Sequence, residues 1–203
     1  LMIVSGLLFK LAIVPFHVWA PDVYQGAATV VTMFIASAPK VAAVVVLYQL
    51  LKGPFAYWFS YWNSLLLALG VASIAVGALG ALLQKNFKRL LAYSSINNLG
   101  FVVVALAYNS QEAIQAMCFY VVVYVTITLG VFAEILSYRD HNGNKVALSD
   151  YSGLAKSNPL LAMAMGILLF SIAGIPPFAG FFAKLQVLQL MIEAHDYIAL
   201  GIT

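Results

Sequence analysis

The chain has 203 residues, of which 64% are hydrophobic and only 8% are Asp, Glu, Lys or Arg. A soluble domain carries about 25% charged residues, so this composition excludes a soluble globular domain, and the high hydrophobicity excludes intrinsic disorder. The net charge of +3 is too small, and too scattered along the chain, to indicate a nucleic-acid partner.

These exclusions leave an integral membrane protein, and the apolar runs predict an all-α, polytopic transmembrane helix bundle. A spanning helix needs about 20 predominantly apolar residues. Six runs qualify and a seventh begins, all within one transmembrane domain over 1–203: 1–19, 27–51, 61–83, 90–108, 113–136, 159–192, and 197 onward. Both ends of the chain fall in apolar stretches, which predicts a fragment of a longer membrane protein.

The loops between the spans differ in charge. One side of the membrane receives Lys52 alone, whereas the other receives six basic residues: Lys85, Lys88, Arg89, Arg139, Lys145 and Lys156. Short loops rich in Lys and Arg stay on the cytoplasmic side, or by analogy in the mitochondrial matrix. The basic side is therefore predicted to face inward, and the first span to run from the outer face to the inner face.

Three further lysines, Lys10, Lys40 and Lys184, lie inside apolar spans, where a charge at mid-bilayer costs about 2.5–3.5 kcal/mol. Lys40 has about a dozen apolar or small residues on either side, which places it about 15–20 Å along the helix from each end. Loss of hydration disfavours the ammonium form, so such a lysine can take up and release a proton, whereas arginine stays protonated. The three lysines indicate a proton relay; the alternative is that they only pack or snorkel.

Two of these lysines adjoin residues that interrupt a helix. Pro15 follows Lys10, and Pro176 and Pro177 precede Lys184. Proline removes a backbone donor and kinks or ends a helix, and broken backbone at membrane depth is tolerated only beside protein or a water-filled cavity. Such breaks are typical of a transporter's ion path. The alternatives are a plain kink with a packing role, or a helix that simply ends at Pro15.

Other polar residues have two interpretations each. His17 is either an interfacial histidine or a proton link between the first two buried lysines. Glu134 either pairs with Arg139 or has an accessory proton role, and Lys88, beside Arg89, is either a topology anchor or an accessory proton group. Residues on one helix face could hydrate a path or bond neighbouring helices; they are Tyr120, Tyr124 and Thr128, with Ser94, Ser95, Asn97 and Asn98 in the preceding span.

Motifs for cofactors are absent from the sequence. It contains no phosphate-binding glycine loop, dinucleotide fingerprint, CxxC pair or HExxH motif. Its one cysteine, Cys118, excludes a disulfide within the chain. We expect no cofactor or metal site and no catalytic redox group in this chain, so any redox energy must come from elsewhere.

A resemblance to a known family begins at residues 9–26, which read FKLAIVPFHVWAPDVYQG. More segments agree in order along the chain: APK at 38–40, KRLLAYSSI at 88–96, DYSGL at 150–154, IAGIPP at 172–177 and GFFAK at 180–184. The whole chain resembles the antiporter-like membrane subunits of NADH–quinone oxidoreductase, respiratory complex I. The DVYQG segment is most similar to the branch called subunit N in bacteria and subunit 2 in mitochondria.

The resemblance implies a fold of fourteen transmembrane helices with two inverted five-helix repeats, of which this chain would hold the seventh to the twelfth. It implies broken seventh and twelfth helices, at Pro15 and at Pro176–Pro177, and proton-carrying side chains that match Lys10, His17, Lys40 and Lys184, with Lys88 at the start of the tenth helix. It also implies partners, the other membrane-arm subunits and membrane lipids, and it places flavin, iron–sulfur clusters and quinone in other subunits.

The chain departs from the family pattern at three points. The family pairs the lysine equivalent to Lys10 with a glutamate of the fifth helix, which must come here from a missing region or another polypeptide. Asn97 and Asn98 stand where many bacterial relatives have a histidine, and residues 28–30 read ATV where the family usually has PTP. A proton role in the middle of the 90–108 span is therefore in doubt.

The preferred hypothesis is a proton-translocating, non-redox membrane-arm subunit that couples NADH:quinone electron transfer to proton pumping through buried lysines. The membrane would be the bacterial plasma membrane or the mitochondrial inner membrane. Two alternatives stay open: a subunit of a stand-alone cation/proton antiporter, and a structural membrane scaffold without transport.

Overall fold

The computed structural model describes residues 2–140, 143–144 and 147–202; Lys145, which we counted among the inward-facing charges, lies outside them, as do residues 1, 141–142, 146 and 203. The described chain is almost entirely helical. Its α-helices are α1 (Met2–Leu11), α2 (Trp19–Gly26), α3 (Thr29–Ala36), α4 (Ala38–Lys52), α5 (Phe59–Leu82), α6 (Phe87–Ala107), α7 (Gln111–Ser137), α8 (Leu154–Ser157), α9 (Pro159–Ala173), α10 (Ala179–Glu193) and α11 (Tyr197–Leu200).

Short elements connect some of these helices. Turns of 3₁₀-helix cover Ala56–Trp58 and Leu148–Tyr151. Strands β1 (Arg139–Asp140) and β2 (Gly143–Asn144) form an antiparallel pair in which Arg139 lies opposite Asn144. The long polar connection after α7 thus contains the described β-structure.

Four described helical stretches are long and apolar enough to cross a bilayer: Thr29–Lys52, Ala56–Leu82, Phe87–Ala107 and Gln111–Ser137. The shortest has 21 residues, which corresponds to about 31 Å of helix and matches a hydrocarbon core of about 30 Å. The all-α membrane architecture predicted from composition is confirmed, and the predicted spans from 27 to 136 fall on these helices.

The predicted span 1–19 is helical only as far as Leu11. The amide of Ala12 donates to the carbonyl of Phe9 at 2.9 Å, and the amide of Ile13 donates to that of Leu8 at 3.0 Å. These two bonds, with Ala12 in the left-handed region at φ 60°, form a Schellman motif that ends the helix. Helical structure resumes at Trp19, so the break covers residues 12–18 and contains Pro15.

The predicted span 159–192 is interrupted in the same way. Gly174, with φ 83°, donates its amide to the carbonyl of Ser171 at 3.1 Å, and Ile175 donates to that of Phe170 at 3.1 Å. Glycine adopts this left-handed conformation without a Cβ penalty. The two halves, α9 and α10, have 15 residues each, and the break between them contains Pro176 and Pro177.

Helix α6 forms the centre of the bundle, with 16 of its 21 residues buried. Helix α5 packs along it through glycines, because a Cβ at Gly77 would lie 2.5 Å from the backbone nitrogen of Asn97, and one at Gly100 would lie 2.8 Å from the carbonyl oxygen of Gly70. Small residues let two membrane helices approach this closely. On other faces of α6, Ser95 accepts a hydrogen bond from Lys40 of α4 and Asn98 accepts one from Tyr120 of α7.

Candidate functional site

Lys40 is almost completely buried in the described structure, with 1% of its surface exposed. Its Nζ atom donates a hydrogen bond to Ser95 Oγ on α6 and lies 5.3 Å from the ring centroid of Tyr24 on α2. No carboxylate forms a salt bridge with it among the described residues. The ammonium group is therefore surrounded by neutral partners, as expected for a lysine that can lose its proton.

A break between α3 and α4 shapes this site. Pro39 has no backbone N–H, and the amide of Lys40 donates to the carbonyl of Ser37 at 3.1 Å instead of continuing the helix of α3. The carbonyl of Ala36 is consequently available, and it accepts a hydrogen bond from the Tyr124 hydroxyl at 3.0 Å. Sequence reasoning did not single out this break; the proline directly before the buried lysine was the available signal.

The polar face predicted on α7 points into the bundle. Tyr120, Tyr124 and Thr128 are all buried. The Tyr124 hydroxyl lies 2.8 Å from Ser95 Oγ, and the Tyr120 hydroxyl donates to Asn98 Oδ1 at 2.9 Å. These tyrosines thus bond neighbouring helices, and one of them extends the network of Lys40.

Lys184 lies across the break between α9 and α10. Its Nζ atom donates to the carbonyl oxygens of Ile172 and Ala173, each at 3.0 Å, and lies 5.5 Å from the ring centroid of Phe101. The last carbonyls of a helix lack partners within the helix, and its C-terminus carries partial negative charge. The half-buried ammonium therefore caps α9, a structural role that sequence reasoning had not separated from proton transfer.

Two cavities lie between the Lys40 network and Lys184. A small one of about 10 Å³ is lined by Asn98, Tyr120, Tyr124 and Ser171, together with apolar atoms of α7, α9 and α10. A larger groove of about 550 Å³ is lined by Lys184, by Ser94, Asn97 and Asn98 of α6, by Gln84, and otherwise by small and apolar residues, including those of α5. Asn98 borders both, so polar atoms follow one another from one lysine towards the other.

The structure does not bring Lys10 into this network. Lys10 lies in the last turn of α1 with an exposed side chain, and among the described residues no salt bridge involves it. His17 lies within the break after α1 and is half-buried. Its Nδ1 atom and the Tyr24 hydroxyl are buried without a hydrogen-bond partner among the described residues.

The accessory residues lie near the ends of helices, Lys88 at the start of α6 and Glu134 near the end of α7. Lys88 is buried and donates to the carbonyl of Ala27 at 2.7 Å, beyond the end of α2. Glu134 is half-buried, and its Oε2 atom has no hydrogen-bond partner among the described residues. The side chain of Arg139 lies outside the described part, so the Glu134–Arg139 pair stays a prediction.

An ion pair next to Lys88 holds α2 against α6. Arg89 NH1 lies 2.7 Å from Asp22 Oδ1 and donates to Gln25 Oε1 at 3.0 Å. The carboxylate of Asp22 is largely exposed. The DVYQG segment therefore has two roles. Asp22 and Gln25 form a surface clasp with Arg89, and the ring of Tyr24 faces Lys40.

The fold and this site define an integral membrane protein of the antiporter-like class, with broken helices around a buried lysine. The family described as NADH:quinone oxidoreductase/Mrp antiporter, TM, matches residues 1–203, and the chain belongs to that family. This membership confirms the resemblance inferred from the sequence motifs.

Similar proteins are named NADH-quinone oxidoreductase subunit N. That of Sphingopyxis alaskensis is 46% identical over 194 residues, covering 95% of this chain and 41% of the relative. That of Rhizobium meliloti, named subunit N 1, is 44% identical over 196 residues, covering 96% of this chain and 41% of the relative. The chain thus spans about two fifths of the length of the curated relatives it matches.

Solved structures show the same fold. A chain of respiratory complex I from Thermus thermophilus with bound aureothin is 39% identical, with a TM-score of 0.81, covering 97% of this chain and 43% of that chain. A chain of the Mrp complex from Dietzia sp. is 27% identical, with a TM-score of 0.90, covering 98% of this chain and 37% of that chain. The described helices therefore match part of the antiporter-like fold seen in those chains.

Proposed function

We propose that the chain is part of a proton-translocating membrane-arm subunit of respiratory complex I. The burial of the Lys40 ammonium among neutral partners carries the proposal. An isolated charge is expensive in such a place, so Lys40 can release its proton when a neighbouring charge or water changes. The names of the relatives and the family membership support the assignment to complex I.

The proton route that we propose contains Lys10, His17, Lys40 and Lys184. The unpartnered polar atoms of His17 and Tyr24 lie along the chain between Lys10 and Lys40, and buried polar atoms without protein partners are where ordered water binds. Lys184 would pass the proton to the outer exit or to the next subunit. The breaks at Pro15 and at Pro176–Pro177 would provide the irregular backbone along this route.

The exposed position of Lys10 suggests a partner for it. We propose that a carboxylate from another segment or polypeptide lies against Lys10 and exchanges charge with it. Other membrane-arm subunits and membrane lipids would cover the exposed apolar surface. The membrane would be the plasma membrane of a bacterium, as for the relatives named above, or the mitochondrial inner membrane.

Lys88 and Glu134 are accessory in this proposal. The hydrogen bond from Lys88 to Ala27 favours a positioning role at the end of α2. The unpartnered Glu134 Oε2 atom, at the inner end of α7, suits a group that receives protons from the inner side.

The redox chemistry would take place in other subunits. We propose that this chain holds no catalytic redox group, and that flavin, iron–sulfur clusters and quinone belong to the rest of the complex. Quinone reduction there would shift the charge states of the lysines here electrostatically.

A second candidate is a subunit of a stand-alone cation/proton antiporter. The TM-score of 0.90 to a chain of the Mrp complex favours it. Purification of the intact assembly separates the two candidates, because flavin and iron–sulfur absorbance is expected only for complex I.

The test of the proton role is Lys40→Ala in the intact complex, reconstituted in vesicles. We expect proton pumping and quinone-linked NADH oxidation to fall together. Lys52→Ala is the matched control, since Lys52 ends the same helix and bonds Asn109 at the membrane edge. Normal rates of both activities in an assembled Lys40→Ala complex would refute the relay and leave the scaffold alternative.

A further inference from the structure

The hydrogen bonds that start at Lys40 run in one direction. A tyrosine hydroxyl has one hydrogen, and that of Tyr124 is donated to the carbonyl of Ala36 at 3.0 Å. Ser95 must therefore donate its own hydrogen to Tyr124 across their 2.8 Å contact. Ser95 in turn accepts from the Lys40 ammonium. The order is Lys40, Ser95, Tyr124, Ala36.

This chain of hydrogen bonds ends where no proton can continue. The carbonyl oxygen of Ala36 accepts a hydrogen bond but carries no hydrogen, so it has no proton to pass on. The carbonyl is available because of the break at Ser37 and Pro39. In this arrangement a proton on Lys40 cannot leave through Tyr124.

The same hydroxyl has a second possible partner. Tyr124 lines the cavity of about 10 Å³ that it shares with Asn98, Tyr120 and Ser171, and a single water molecule needs about 10–15 Å³. The lining is mostly apolar, but the hydroxyls of Tyr120, Tyr124 and Ser171 and the amide of Asn98 could together offer such a water the two to four hydrogen bonds that it requires. Rotation about one C–O bond would turn the Tyr124 hydrogen from Ala36 to this water.

We propose that Tyr124 is a two-position hydroxyl switch that controls proton transfer out of Lys40. With its hydrogen on Ala36 the path is closed, and with its hydrogen on the cavity water it is open towards the groove that contains Lys184. This inference rests on the proposed function of the chain in proton translocation.

The open position permits a balanced transfer. The Lys40 ammonium gives a proton to Ser95 Oγ, Ser95 gives its original proton to Tyr124, and Tyr124 gives its original proton to the cavity water. Lys40 becomes a neutral amine, the water gains the positive charge, and both hydroxyls keep one hydrogen each. Before Lys40 can transfer another proton, the hydroxyls must turn back, and this return resets the switch.

The experiment is Tyr124→Phe in the intact complex, assembled and reconstituted in vesicles. Phenylalanine keeps the ring and removes only the hydroxyl, so we expect proton translocation to slow by at least about 10-fold. The control is Tyr48→Phe, which removes a hydroxyl from a half-buried tyrosine of α4 outside this network and is expected to pump normally.

A second pair of variants separates proton transfer from packing. Ser95→Thr and Ser95→Val have nearly the same size, so any disturbance of the buried site affects both alike, but only threonine keeps a hydroxyl. We expect Ser95→Thr to pump and Ser95→Val to be slowed as Tyr124→Phe is. This pair also serves if Tyr124→Phe fails to assemble.

The outcomes distinguish the switch from the proposed function. If Lys40→Ala stops pumping while assembled Tyr124→Phe or Ser95→Val pumps normally, the switch is wrong and the role of Lys40 stands. Equal slowing of Ser95→Thr and Ser95→Val also overturns the switch, because the hydroxyl then has no role. If Lys40→Ala itself pumps normally, the proposed function fails and the switch fails with it.

Discussion

The double hydrogen bond from Lys184 to the end of α9 allows its structural and proton-transfer roles to be separated. Lys184→Met removes both bonds to Ile172 and Ala173. Hydrogen bonds between membrane helices contribute about 0.6–1.7 kcal/mol each, so the loss is about 1–3 kcal/mol. Lys184→Gln keeps an uncharged N–H donor and should lose less than half of that.

The assay for the structural role is hydrogen–deuterium exchange of peptides that contain Gly174 and Ile175, whose amides close α9. A local destabilisation of about 1–3 kcal/mol corresponds to exchange about 5- to 150-fold faster, since 1.4 kcal/mol is tenfold. We expect this change in Lys184→Met and a smaller one in Lys184→Gln. Proton pumping of the reconstituted complex is measured on the same preparations.

Pumping is expected to be lost in both variants, because neither a glutamine nor a methionine side chain takes up and releases a proton near neutral pH. A Lys184→Gln complex that pumps at the normal rate would refute a proton role for Lys184 and leave only the cap. Unchanged exchange at Gly174 and Ile175 in Lys184→Met would refute the capping argument instead.

Three further predictions concern packing and surface contacts. Gly180→Ala places a Cβ against the backbone oxygen of Ser171 and should prevent assembly of the complex, as measured on a native gel. Gly166→Ala, with nothing within 4 Å of its Cβ, should assemble normally. Equal yields of assembled complex from the two variants would contradict the close packing at Gly180. Asp22→Asn removes an exposed ion pair and should change stability by less than about 1 kcal/mol in a thermal-melt assay; a larger loss would mean that the clasp is buried by a partner. Tyr108→Phe removes the 2.7 Å bond to Asp196 and should speed amide exchange near residues 193–198 by about 5-fold, for a bond of about 1 kcal/mol; unchanged exchange would show that this bond contributes nothing.

Much of the architecture could be predicted from local composition. A bilayer requires long apolar helices and makes charge expensive, so the spans and the unusual lysines are visible in the sequence itself. The breaks near Pro15 and Pro176 were also predictable, since proline lacks a backbone donor. The family motifs added the expected identity of the fold.

The contacts of the site could not be predicted in the same way. Lys40 meets Ser95, which lies 55 residues away along the chain, and Tyr124 meets the carbonyl of Ala36 across 88 residues. In a membrane both lipid and protein are apolar, so hydrophobic periodicity does not distinguish the face of a helix that meets its neighbour from the face that meets lipid. The sequence therefore could not show that Lys40 is buried against neighbouring helices whereas Lys10 is exposed.

The sequence by itself determined that this chain crosses a membrane, that two of its spans are interrupted near Pro15 and Pro176, and that it holds three lysines within apolar spans, because each depends only on neighbours along the chain. The tertiary structure alone decided that Lys40 is enclosed by neutral partners, that Lys184 caps α9, and that Tyr124 bonds a carbonyl left available at Pro39. Those arrangements depend on how distant helices pack, and small residues such as Gly77 and Gly100 set that packing.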